Sequence, residues 1–132
     1  MYYVKKRMEI AGSHQLDLPY KSKCSNLHGH NWIITVYVCS PKLTDYGMVT
    51  DFTHIKKCIH DKLDHQNLNT VLKHINPTAE NIAMWIFNQL NFGTSGIPDN
   101  PYATCYKVEV QESEGNVACY EDSEEVIDNE SC

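Results

Sequence analysis

His28-Gly29-His30-Asn31-Trp32-Ile33-Ile34-Thr35-Val36-Tyr37-Val38-Cys39 reads as a β-strand. β-Branched and aromatic residues dominate it, and such side chains suit a pleated, half-buried surface. Pro41 ends it, and Asp45-Tyr46-Gly47 reads as a turn. Upstream, residues 2–10 alternate around Val4, Met8 and Ile10 and predict another strand. Downstream the period changes. Phe52, Ile55, Ile59 and Leu63 recur every three or four residues, so 51–63 predicts an amphipathic helix with Lys56, Lys57, Asp61 and Lys62 outward. A second helix is predicted over 78–90. Thr78 can cap it after Pro77, Glu80 suits its first turn, and Ile82, Trp85, Ile86 and Leu90 face inward. Two Gly and two Pro make 92–102 a loop, and 105–112 and 116–120 are two further strands around a turn at Glu114-Gly115. The order β-β-α-α-β-β predicts an α+β domain, an antiparallel sheet with two helices on one face. The other face is left to solvent or to another subunit.

Composition narrows the class. The 132 residues are 42% hydrophobic and 21% charged, which predicts a soluble globular protein with one domain at 1–120. No apolar run is long enough to cross a bilayer, and no apolar segment follows the charges of Lys5-Lys6-Arg7, so neither membrane nor secretion is expected. Net charge is −6, but six of the 17 acids lie in residues 121–132, an acidic tail without Lys or Arg. The body then carries equal numbers of acids and bases, a poor footprint for nucleic acid. Six cysteines stand at 24, 39, 58, 105, 119 and 132 with no C-x-x-C, and are expected as reduced thiols in the cytoplasm.

The chemistry begins at the head of the quoted strand. His28 and His30 share one face if the chain there is extended. His14 follows the first strand, and antiparallel pairing would bring it to the same place. Three imidazoles can hold Zn²⁺ with a fourth position open, which is a catalytic pattern. The plain alternative is three unrelated histidines. Cys24 could be a fourth ligand closing the site or a thiolate base beside the metal, and spacing alone leaves both open. Asp64-His65 follows the first helix, where a solvated, dipole-favoured histidine is the plain reading. Tyr106, Val108, Val110 and Glu112 alternate onto one strand face, so a carboxylate ends an inward row. A buried acid there needs a partner or a ligand, unless the strand frays first. His54, His60 and His74 read as solvated helix histidines. G-x-G-x-x-G, P-loop, H-E-x-x-H and G-x-S-x-G motifs are all missing.

Together these segments resemble the 6-pyruvoyltetrahydropterin synthase / 6-carboxytetrahydropterin synthase family. The resemblance rests on His14, Cys24…His28-Gly29-His30, Gly47-Met48-Val49-Thr50-Asp51-Phe52, Leu63-Asp64-His65-Gln66-Asn67-Leu68-Asn69, Pro77-Thr78-Ala79-Glu80-Asn81 and Val108-Glu109-Val110-Gln111-Glu112. It implies a tunnelling fold: a four-stranded antiparallel sheet with two helices, three subunits joined into a barrel, and two trimers stacked as a homohexamer with sites between subunits. It implies His14, His28 and His30 as zinc ligands and Cys24 as general base. Asp64 and His65 would be the second proton-transfer group, and Glu112 the anchor of a pterin ring. The implied substrate is 7,8-dihydroneopterin triphosphate. Three residues separate Cys24 from His28, as in the queuosine branch of the family, whose product is 6-carboxytetrahydropterin with release of acetaldehyde. The biopterin branch, giving 6-pyruvoyltetrahydropterin, typically has five, and a folate branch has glutamate for the cysteine. Departures are a looser Ala11-Gly12-Ser13, a long 92–102 loop and the acidic tail. The alternative of another class is a non-catalytic module whose zinc is closed by Cys24 and the three histidines.

Overall fold

A computed structural model of the chain describes residues 1–93 and 96–122. β1 (Tyr2–His14) and β2 (His28–Ser40) pair antiparallel without a slip from Tyr2↔Ser40 to His14↔His28. β2 then pairs with β4 (Thr104–Ser113), and β4 with β5 (Asn116–Glu121), both antiparallel. Gly115 turns the last hairpin at φ +81°, a conformation that glycine adopts without steric cost. The expected antiparallel sheet of four is present. A fifth, two-residue strand, β3 (Gln66–Asn67), adds to β1 in parallel through Gly12 and Ser13, giving the order β3-β1-β2-β4-β5.

The helices cover one sheet face. The predicted 51–63 helix forms in three joined parts: α1 (Phe52–Ile55), a π-helical turn (Lys56–His60) and α2 (Asp61–Leu63). Asp51 caps it by accepting from the Thr53 N–H at 2.9 Å. The π-turn admits one extra residue, so Cys58 and Ile59 are both buried. Phe52, expected inward, is 45% exposed and lies beside Tyr2 and Tyr3 at the start of β1. A short α3 (Leu68–Leu72) follows β3 and had no periodic signal. α4 (Ala79–Phe92) starts at the predicted cap, where Thr78 Oγ1 accepts from the Asn81 N–H.

Between the layers lie Ile10, Ile34, Val36 and Val108 from the sheet and Ile55, Ile59, Ile82 and Ile86 from the helices, all buried. Such side chains contribute about 1.5–3 kcal/mol each when fully buried. β4 carries a correction to simple alternation. Tyr37 pairs with Lys107 but Val38 with Cys105, so Tyr106 is an extra residue in a bulge and Cys105, not Tyr106, faces the core. The outer sheet face is polar. There the Tyr37 hydroxyl donates to Glu109, which pushes the phenol up to about 12, and Lys107 pairs with Glu121. Glu121 and Asp122 are the only residues of the acidic tail within the described chain; 123–132 lie outside it.

Candidate active site

The β1–β2 register sets His14 directly opposite His28, and alternation adds His30 on the same face. Trp32, next in that row, is fully buried and packs edge-on against both His14 and His30. Its Nε1–H donates to the Gly12 carbonyl at 3.0 Å. A Cβ on Gly12 would sit 3.3 Å from Leu68 and from Trp32 Nε1, so a side chain there would have to push these neighbours back by a few tenths of an ångström.

Backbone carbonyls set the ring tautomers. His14 Nδ1 lies 2.8 Å from the Pro77 carbonyl and His28 Nδ1 2.6 Å from that of Asn26. A carbonyl only accepts, so both Nδ1 atoms carry a proton, and in the neutral rings that ligate a metal both Nε2 atoms present lone pairs. Those lone pairs face each other at 3.1 Å. Two bare acceptors so close repel unless a cation lies between them. At Zn–N distances of 2.0–2.1 Å the edge of a tetrahedral shell is about 3.3 Å, so the spacing suits two ligands of one ion. Burial lowers the pKa of His14, which keeps it in the neutral, ligating form.

His30 completes the group. Its Nε2 is buried without a hydrogen-bond partner, yet lies 3.1 Å from Glu112 Oε1. Among the described residues, His14, His28, His30 and Glu112 form a group whose possible ligand atoms all lie within 4.8 Å of one another. Glu112 is thus half-buried at the end of its strand, as alternation from Val108 predicts. Cys24 is not in that group. It is a half-buried free thiol on a single 3-10 turn, Lys23–Ser25.

Asp64 and His65 hang from the open edge of β1. Asp64 Oδ1 accepts from the Ala11 N–H at 2.9 Å, and the His65 N–H donates to the Ala11 carbonyl at 2.7 Å. Asp64 Oδ2 lies 2.9 Å from His65 Nδ1. The carboxylate therefore fixes one ring nitrogen and leaves Nε2 outward, on a side chain 81% exposed. His65 holds φ +58°, a left-handed conformation uncommon for a side chain of this size. A second imidazole backs the pair. His60 Nε2 lies 3.8 Å from Asp64 Oδ2, and its Nδ1 is buried without a hydrogen-bond partner. The sequence reads His60 as solvated; in the fold it ends the π-turn with its side chain 26% exposed, and its Nδ1 lies 3.5 Å from Asp61 Oδ1.

The bond from Ala11, with His65 and His60 beside it, holds the Asp64 carboxyl below its ordinary 3.8. A depressed folded value stabilises the fold above the unfolded pKa and is lost as pH falls through the folded one. Asp64→Asn should therefore flatten the fall in stability on acidification below about pH 4. Parallel acid titrations of melting temperature would check this; equal slopes would sink it.

Two clefts each reach one member of the metal group. One, of about 480 Å³, is lined by His30 and His65 with Gly12, Gly29 and Gln66. The other, of about 390 Å³, is lined by Glu112 and Glu80 with Ala79, Val117 and Cys119. Both fall within the roughly 300–1,000 Å³ of small-molecule sites. His30 of the first lies 3.1 Å from Glu112 of the second.

Residues 3–123 match the protein-family model described as 6-pyruvoyl tetrahydropterin synthase. The chain belongs to that family. Over 128 residues it is 35% identical to the 6-carboxy-5,6,7,8-tetrahydropterin synthase of Synechocystis sp., covering 91% of this chain and 93% of that one. It is also 35% identical over 105 residues to the 6-pyruvoyl tetrahydrobiopterin synthase of Dictyostelium discoideum, covering 74% of this chain and 73% of that one. Among solved structures, Caenorhabditis elegans 6-pyruvoyl tetrahydropterin synthase superposes with a TM-score of 0.68 at 26% identity, over 92% of this chain and 96% of that one. The tetrahydropterin synthase fold and family expected from the sequence are thus those of this chain. Relatives carrying both product names occur, so family membership alone does not select a product. Missed by sequence reasoning were the Pro77 and Asn26 carbonyls and the Ala11 peptide. Pro77 was legible only as part of its motif, because backbone acceptors carry no residue signature.

Proposed function

We propose that this tetrahydropterin synthase family member is a zinc-dependent lyase converting 7,8-dihydroneopterin triphosphate to 6-carboxy-5,6,7,8-tetrahydropterin, acetaldehyde and triphosphate, in queuosine biosynthesis. The observation that carries the reading is the convergence of three imidazole nitrogens, two with tautomers fixed for ligation. Bound zinc would act as a Lewis acid on the side-chain oxygens and acidify the neighbouring C–H groups. Glu112, in the cleft with Glu80, grips the amino-pyrimidinone edge of the ring with paired hydrogen bonds. The ring in that cleft directs the side chain across His30 toward His65. Cys24 takes the proton as a thiolate base. His65 moves the second proton at Nε2, with its Nδ1–H held by Asp64. Each acts on its own side of the substrate chain.

The short Cys24–His28 spacing and the Synechocystis relative favour the carboxy product. The second reading, a 6-pyruvoyltetrahydropterin synthase, is supported by the Dictyostelium relative. The non-catalytic module is disfavoured because the potential ligand group holds Glu112 and not Cys24. Incubating the zinc-loaded protein with dihydroneopterin triphosphate should yield acetaldehyde and 6-carboxytetrahydropterin together by mass spectrometry. Triphosphate release with an intact three-carbon side chain would move the chain to the pyruvoyl branch. No turnover by the metal-loaded protein would overturn the enzyme reading.

We place the enzyme in the cytoplasm; among the described residues no helix is long and apolar enough to cross a membrane. We infer a homohexamer built as a dimer of trimers. Supporting this, the free edge of β1 pairs with β3 at Gly12 and Ser13 alone among the described residues, and Tyr2, Tyr3, Met48 and Phe52 are exposed beside it. Joining that edge to the β5 edge of a neighbour would close the sheets into a ring and cover His65. Sedimentation should give six times the 15.1 kDa chain mass; a monomer would refute the assembly.

A further inference from the structure

Glu112 belongs to two neighbourhoods. Its carboxylate lies with His14, His28 and His30 in one potential ligand group, and the same side chain lines the cleft shared with Glu80. Its approach to His30 is close but is not a hydrogen bond, since His30 Nε2 at 3.1 Å remains without a hydrogen-bond partner. A ring nitrogen and a carboxylate oxygen held so are spaced like neighbouring ligands of one ion, where the tetrahedral edge is about 3.3 Å.

We propose that Glu112 is an exchangeable fourth ligand: it closes the metal site in the resting protein and leaves the metal when a pterin ring enters the adjoining cleft. This rests on the metal and pterin reading above and adds an order of events to it. A two-bond grip on the amino-pyrimidinone edge takes the syn lone pair of each carboxylate oxygen, the one a metal also prefers, so ring and metal compete for Glu112. Recognition of the ring thereby opens the coordination position that the substrate side chain needs. The ligand atoms lie within 4.8 Å of one another, a looser bound than the ideal edge of about 3.3 Å, which leaves room for a ligand to move inward on loading. Glu112 can supply that movement, because its side chain is 28% exposed on a flexible stem. His14 cannot, because it is fully buried and tied to Pro77. Before the ring arrives, the carboxylate keeps water and stray anions off the metal. The two binding events are linked and reciprocal: a ring that draws Glu112 away should strengthen binding of a small anion at the metal, and the anion should strengthen ring binding by the same factor.

The test uses the full chain loaded with Co²⁺, whose visible absorption reports the ligand set, with azide as the anion and 6-methylpterin as a ring without side-chain hydroxyls. Glu112→Gln should change the Co²⁺ spectrum in the absence of any pterin and tighten azide binding at least about fivefold. Glu80→Gln, which removes a nearby charge outside the ligand group, should leave the spectrum unchanged. In the wild type, 6-methylpterin should shift the spectrum toward that of Glu112→Gln and tighten azide binding by a similar factor. A Glu112→Gln spectrum and azide affinity equal to wild type, with Co²⁺ fully bound in both, would overturn the exchange while leaving the three-histidine site intact. Failure of the wild type to bind Co²⁺ at all would instead overturn the metal reading beneath it.

Discussion

Cys24→Ala is expected to lower turnover of dihydroneopterin triphosphate by about 10²–10⁴-fold, the usual contribution of a general base, with bound zinc and melting temperature unchanged. The substitution is clean because the segment is held by its backbone. The Cys24 N–H donates to Ser22 Oγ at 3.1 Å, and its carbonyl accepts from the Leu16 N–H at 2.8 Å. The thiol is half-buried, lies outside the apolar core and is not in the ligand group with the histidines. Alanine therefore deletes the proposed proton acceptor and little else. Zinc analysis and a thermal melt beside the rate measurement separate the outcomes. Full activity would remove Cys24 from the mechanism. Loss of zinc would place its sulfur in the metal shell and revive the closed-site reading.

The second large effect is expected at His28. Removing an outer-shell partner of a zinc ligand typically costs 10–100-fold in affinity, so removing a ligand itself should cost more than about 100-fold. His28→Ala should therefore emerge from dialysis without zinc and without turnover. It should nevertheless fold, because His28 is half-buried at the end of its strand, unlike His14, which is fully buried against Trp32 of the core. His14→Ala would be a poorer test, since it would also leave the Pro77 carbonyl without its donor in a buried site. Chelation of the wild type should reproduce the His28→Ala state. Retention of stoichiometric zinc by His28→Ala would refute its role as a ligand. Cooperative unfolding on chelation would mark the zinc as structural, because its binding energy would then be folding energy.

The clustering of the histidines was legible because it needs only two rules. Alternation puts His28 and His30 on one face, and antiparallel pairing returns His14 to them. Glu112 was legible by the same alternation, counted from Val108 beyond the bulge at Tyr106, although β4 shifts register against β5 at Glu112 itself. The helix over 52–63 was legible in extent but not in form. A period of three to four residues does not reveal where a π-turn admits an extra one, nor that Phe52, ahead of that turn, would be exposed while Ile55, Ile59 and Leu63 are buried. β3 and α3 are too short for any period to declare them. The loop expected at 92–102 gave no sign that its Asp99 would accept from Thr50 Oγ1 and the Asp51 N–H, or that Asn100 would be buried among backbone carbonyls. Those contacts depend on where the fold brings the loop.

The Ala11 peptide supplies both the donor that holds Asp64 and the acceptor that holds His65. Main-chain atoms are common to nineteen of the twenty amino acids; proline alone lacks the N–H. Residue 11 can thus drift through most side chains without releasing the pair, and a screen of substitutions there would find it tolerant. A site can depend wholly on a position whose identity is nearly free, and a comparison of residue types would pass over it.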